Sequence, residues 1–163
     1  MTRQLLPISA LLLGTALLLF AGGINGLILP VRGSAEGFSA FSLGLLGTGW
    51  ALGYISGCVA TPRLVALAGH IRAFGVMAAF AAVAMLLSLI FITPTAWIPL
   101  RALSGFCFAG AAMIVESWLN ERTEPASRGK VYGIYTMVTL GASTAGQMSL
   151  TLGDTTGFLF FVL

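Results

Sequence analysis

Hydrophobic and polar positions along this chain fall into long blocks and do not alternate. Between Arg3 and Arg32 lie 28 uncharged residues, between Glu36 and Arg63 26, between Arg72 and Arg101 28, and between Lys130 and Asp154 23. A helix needs ~20 apolar residues to cross a ~30 Å hydrocarbon layer, so each block is long enough for a crossing. The missing period of two argues against a barrel. Backbone polar groups in lipid must satisfy one another, which leaves helices. The pattern predicts an all-α integral membrane protein with spans at 5–29, 38–60, 73–92, 97–119 and 131–152. Thr93-Pro94-Thr95-Ala96 reads as a tight turn between the third and fourth. A last apolar run opens at Gly157 and stops at Leu163; as a helix it reaches only about 10 Å, so it reads as the start of a sixth span in a partial chain.

Composition narrows the class. Of 163 residues, 58% are hydrophobic and 8% charged, and the mean hydropathy is +0.99. Thirteen charged side chains cannot cover the surface of a soluble domain of this length. The apolar content is equally incompatible with disorder. Cys58 and Cys107 sit in apolar runs, unlike a secreted disulfide framework. Met1-Thr2-Arg3 and Ala21-Gly22-Gly23 allow a signal-peptide reading, but the apolar run continues to Leu29, which favours an uncleaved first helix. With a cytoplasmic N-terminus, Arg3, Arg63, Arg72, Arg122, Arg128 and Lys130 face inward and Arg32 outward. That six-to-one bias predicts this orientation, in a plasma (inner) membrane. No basic patch interleaved with aromatics is present, so the bilayer is the expected partner and nucleic acid is not.

The spans carry small residues at four-residue spacing: Gly49, Gly53 and Gly57 in the second, Gly105 and Ala109 in the fourth, Gly141, Ala145 and Ser149 in the fifth, and Gly22 and Gly26 in the first. Such faces let backbones approach closely in lipid, either as plain tight packing or as surfaces that slide. Polar groups inside the spans are few. Only 14 uncharged residues, roughly 21 Å of helix, separate Arg101 from Glu116, so both cannot sit in the headgroups. At least one is drawn into the membrane or a watery cavity, where ionisable groups are costly and often functional, unless Arg101 snorkels outward. Asn25 is a second candidate for a cavity or an interhelical bond, and Ser143 and Gln147 are weaker ones.

Three segments carry a family resemblance. Gly57 lies near the end of the second span and Arg63, Gly69 and Arg72 follow it; Arg101, Gly105, Gly110 and Ala111 open the fourth; Glu121, Arg128 and Gly129 precede the fifth. In order and spacing these resemble the signatures of the N-terminal half of a major facilitator superfamily transporter, over nearly the whole chain. Thr61 stands where the family's Asp is usual, and His70 and Ile71 replace part of its basic group. The fifth-helix Gly-Pro signature of drug–proton antiporters is absent from 141–146. The resemblance implies a partial N-terminal bundle completed by missing C-terminal helices or a second half-bundle, with a small-molecule substrate between halves.

Function follows on two lines. The first is a secondary transporter of small solutes working by alternating access and driven by an ion or proton gradient, since no P-loop supports direct ATP drive. Arg101 and Asn25 are then the expected substrate or proton pathway. Gly57, Arg63, Gly69, Arg72, Glu116, Glu121 and Arg128 form a cytoplasmic gate in which Glu116 or Glu121 pairs with Arg72 or Arg128. The alternative is a truncated, non-transporting membrane interaction fragment. An intramembrane enzyme is not expected: no Asp lies in a span, the single His70 is outside the spans, and no metal or cofactor motif occurs.

Overall fold

The structure, a computed structural model, describes the backbone of residues 2–153 and 159–162 and the side chains of residues 12–153 and 160–162. Those residues form helices joined by short turns, with no strand among them. The helices are α1 (Thr2–Ala35), α2 (Ala40–Ala68), α3 (His70–Ile90), α4 (Pro94–Arg122) and α5 (Arg128–Ser149), then a 3-10 turn at Leu150–Leu152 and α6 (Leu159–Val162). Four of them, α1 to α4, are long and apolar enough to cross a membrane. The 22-residue α5 would reach about 33 Å but is more polar, carrying Thr136, Thr139, Ser143, Thr144 and Gln147. The expected beginning of a sixth run at Gly157 lies outside the described residues.

The helix ends differ from most of the expected boundaries, α1 running on to Ala35 for example, and two of the differences change what was read as loop or turn. The segment read as an inner loop after residue 60 is helix to Ala68, through Pro62. Pro62 cannot donate to the Cys58 carbonyl, but Thr61 Oγ1 donates to the Gly57 carbonyl at 2.6 Å and the following Arg-Leu-Val-Ala-Leu-Ala run holds the helix. The break falls on Gly69, whose φ of 77° and ψ of 162° suit only glycine. Pro94 is not in a turn either. It opens α4, where its missing N–H is no loss, and the α3–α4 turn is residues 91–93. Ser39 caps α2, its hydroxyl accepting from the Ser42 N–H at 3.1 Å.

Short turns make successive helices antiparallel, and α4 is the hub. Half of its most apolar stretch is buried, against a third or less for α1, α2 and α3. α2 and α3 flank it, and α5 lies along α1. The α2–α4 contact is made by backbone. Gly49, Gly53 and Gly57 face the carbonyls of Ile98, Ala102 and Phe106, and Gly105 faces that of Trp50. The same arrangement joins α1 to α5, with Gly23 against the Ser143 carbonyl and Gly146 against that of Phe20. This is one step from the expected faces: Gly26 and Gly141 have open space, and Ala145 is exposed. Ala109 is buried, close to where a Cβ on Gly57 would lie.

Apolar clusters fill the bundle from end to end. Ile24, Ile28, Leu29, Leu46, Trp97, Phe160 and Phe161 pack at one end. Ala73, Met77, Cys107 and Ile114 join α3 to α4. Val115, Trp118, Leu119 and Tyr135 hold α5 against the last turns of α4.

Candidate functional site

The site is set by the first turns of α4. Trp97 is fully buried, with its ring 5.0 Å from that of Phe38. Its indole N–H donates at 2.8 Å to the Ser88 carbonyl, in the last turn of α3, where helix carbonyls have no partner of their own. This ties α4 to α3 and to the start of α2. Residues four apart share a helix face, so Arg101 points into the same interior as Trp97.

Of the two charges flanking the 14-residue stretch, Arg101 is the one taken inside: it is 8% exposed, whereas Glu116 is exposed. Its Nη1 donates to Asn25 Oδ1 and, at 3.4 Å, to the Asn25 backbone carbonyl. Asn25 is 5% exposed, and its Nδ2 donates to Met85 Sδ at 2.9 Å. Thus the two residues proposed for a pathway form one cross-helix unit linking α1, α3 and α4. Both hydrogen bonds of Arg101 to described residues use Nη1. Nε is buried with no hydrogen-bond partner among them. An unsatisfied buried donor costs about 1–3 kcal/mol, more when charged, which marks this position as costly to the fold.

A cavity of about 400 Å³ opens beside the pair, between α1, α2, α4 and α5. Arg101 and Asn25 line it together with Leu19, Trp50, Tyr54, Phe108 and Ser143. Trp50 and Tyr54 are one turn apart with ring centroids at 5.0 Å, so their rings form one aromatic wall. Among the described residues none of the lining is acidic. A smaller cavity of about 160 Å³ lies on the far side of Asn25, against Ala81, Met85 and Phe161. Trp50, Tyr54 and Phe108 escaped the sequence reading. The usable signal was the stripe Gly49, Gly53, Gly57: once it faces α4, positions 50 and 54 fall at the edge of that contact.

The residues assigned to a gate are dispersed at the other end of the bundle. Gly57 is packed on Phe106 and Gly69 makes the α2–α3 break. Among the described residues no ion pair joins Glu116 or Glu121 to Arg72 or Arg128, and none involves Arg63. Glu121 lies instead 3.5 Å from His70 Nε2, which is also 3.3 Å from Ser117 Oγ. Gly69 starts α3 at His70, placing that ring beside the last turns of α4, whereas Arg72 is exposed two residues on. Glu116 faces α5: its backbone carbonyl accepts from the Tyr132 hydroxyl at 2.9 Å, and its Oε1 is 3.5 Å from that of Tyr135. Arg122 lies over the Trp118 ring at 5.0 Å. At the opposite end Arg32 pairs with Glu36 at 2.7 Å, one turn apart.

Comparison of the chain with protein-family models, with curated proteins and with solved structures gives no match.

Proposed function

We propose that the chain is the N-terminal helix bundle of a secondary transporter of small solutes, of the major facilitator type its motifs resemble. In this reading α5 is a fifth span, the N-terminus is cytoplasmic in a plasma membrane, and the site alternates between the two sides under an ion or proton gradient. One observation carries the proposal. A charged side chain, Arg101, is buried among membrane-length helices and lines a cavity of about 400 Å³. Intramembrane charge is costly and is typically kept for a pathway. Support also comes from the helix contacts. Smooth glycine faces between α2 and α4 and between α1 and α5 lack interlocking side chains, so the helices can shift with little repacking.

The test is uptake by lipid vesicles containing the protein, with and without an imposed proton or sodium gradient. Gradient-dependent accumulation of a solute, reduced at least tenfold by Arg101→Ala at equal protein content, is the expected result. Accumulation that is identical in empty vesicles would count against transport, and wild-type uptake by the variant would remove Arg101 from the pathway.

A further inference from the structure

The guanidinium of Arg101 has two binding edges, and the hydrogen bonds to Asn25 use only one end of it. Both go from Nη1. The edge formed by Nε and Nη2 has no hydrogen-bond partner among the described residues, and Nε is fully buried. Two parallel N–H groups on one edge match the two oxygens of a carboxylate, and such bidentate pairs are the strongest that arginine makes. A lysine at this place would offer a point charge without that geometry.

Among the described residues no ion pair neutralises this charge. No described residue lining the cavity is acidic. The next carboxylate along α4, Glu116, is fifteen residues on, about 22 Å along the helix, and faces α5. Asn25, being neutral, orients the guanidinium without cancelling it. Apart from Ser143, the rest of the described wall is mainly apolar and aromatic, from Leu19, Trp50, Tyr54 and Phe108. A fully hydrophilic anion would desolvate against this wall with no return, whereas an apolar body would fill it.

We infer that the cavity binds a small monocarboxylate with an apolar or aromatic body, its carboxylate paired with the guanidinium of Arg101 and its body against Trp50 and Tyr54. This rests on the transporter reading for its physiological meaning and on the geometry alone for the binding itself.

The experiment measures binding by the purified chain in lipid nanodiscs, using benzoate, its neutral isostere benzamide and inorganic phosphate, with tryptophan fluorescence as readout. Benzoate is expected to bind at least tenfold more tightly than either of the others. Arg101→Gln is expected to weaken benzoate at least tenfold and to leave benzamide unchanged. Arg101→Lys, which keeps charge and loses the fork, is expected to fall between. Equal binding of benzoate and benzamide by the unaltered chain overturns the inference without need of any variant, and so does a preference for phosphate or full benzoate affinity in Arg101→Gln. Uptake of radiolabelled benzoate by vesicles is read separately: saturable binding without uptake defeats the transporter reading and leaves the site standing, whereas uptake of a neutral solute without benzoate binding does the reverse.

Discussion

Replacing Gly53 by alanine adds one methyl group at the tightest point between α2 and α4. That methyl would overlap the Ala102 carbonyl and press on the Ala102 carbonyl carbon and Cα as well. The obstacle is backbone, so no side chain can turn aside, and the helices must separate by roughly 1.5–1.8 Å to restore an ordinary C···O contact of ~3.3–3.6 Å. Separation also loosens the neighbouring contacts of Gly49, Gly57 and Gly105, which belong to the same surface. Overpacking of this kind costs about 1–3 kcal/mol. Against it stands the better helix propensity of alanine, ~1 kcal/mol. The net expectation is a loss of up to ~2 kcal/mol. Gly47, in the same helix, has no atom within 4 Å of its would-be Cβ, so Gly47→Ala keeps the propensity gain and meets no clash. Unfolding in mixed detergent micelles, followed by circular dichroism, should order the proteins Gly47→Ala, wild type, Gly53→Ala from most to least stable. Equal midpoints for the two variants would refute the backbone-contact reasoning.

The same assay reads three further expectations. Gly69→Ala forces a Cβ into a backbone conformation reserved for glycine and should destabilise by ~1–3 kcal/mol, while Gly133→Ala, with open space around it, should not. Trp97→Phe keeps most of the ring but orphans the Ser88 carbonyl in the last turn of α3; a loss of about 1–3 kcal/mol is expected, and an unchanged midpoint would remove that bond from the account. Glu121→Gln removes the negative charge facing His70, but Glu121 is 58% exposed at 3.5 Å, so less than ~1 kcal/mol should change, and a larger effect would point to a stronger network there.

The helices were legible because lipid imposes a simple rule: long uncharged blocks become helices, and charge clusters mark the turns. Their ends were not. Proline is a reliable stop signal only where local sequence offers no better helix, and at Pro62 and Pro94 one runs through a helix and the other starts it. The small-residue faces of α1 and α5 were read one position off, because Gly22-Gly23 and Ala145-Gly146 are adjacent small pairs and neighbouring positions differ by about 100° around a helix. The stripe of α2 has no such neighbour ambiguity, and its three glycines all face α4. Arg101 and Asn25 stood out separately as polar groups in apolar runs. That they touch follows from the way α1 crosses α4, which no spacing along the chain encodes. His70 as the neighbour of Glu121 was hidden for a similar reason: the turn at Gly69 decides which α3 residue meets α4.

The claim on which all else depends is that α1 to α4 cross a bilayer with the cationic ends on the cytoplasmic side. A pair of dual reporters, one active only in the cytoplasm and the other only outside it, fused after Glu36 and after Lys130, tests this directly. The account predicts an external signal at Glu36 and a cytoplasmic one at Lys130, with the protein released from membranes only by detergent. The opposite pair of signals, or a chain that stays in solution after the membranes are spun out, would contradict it.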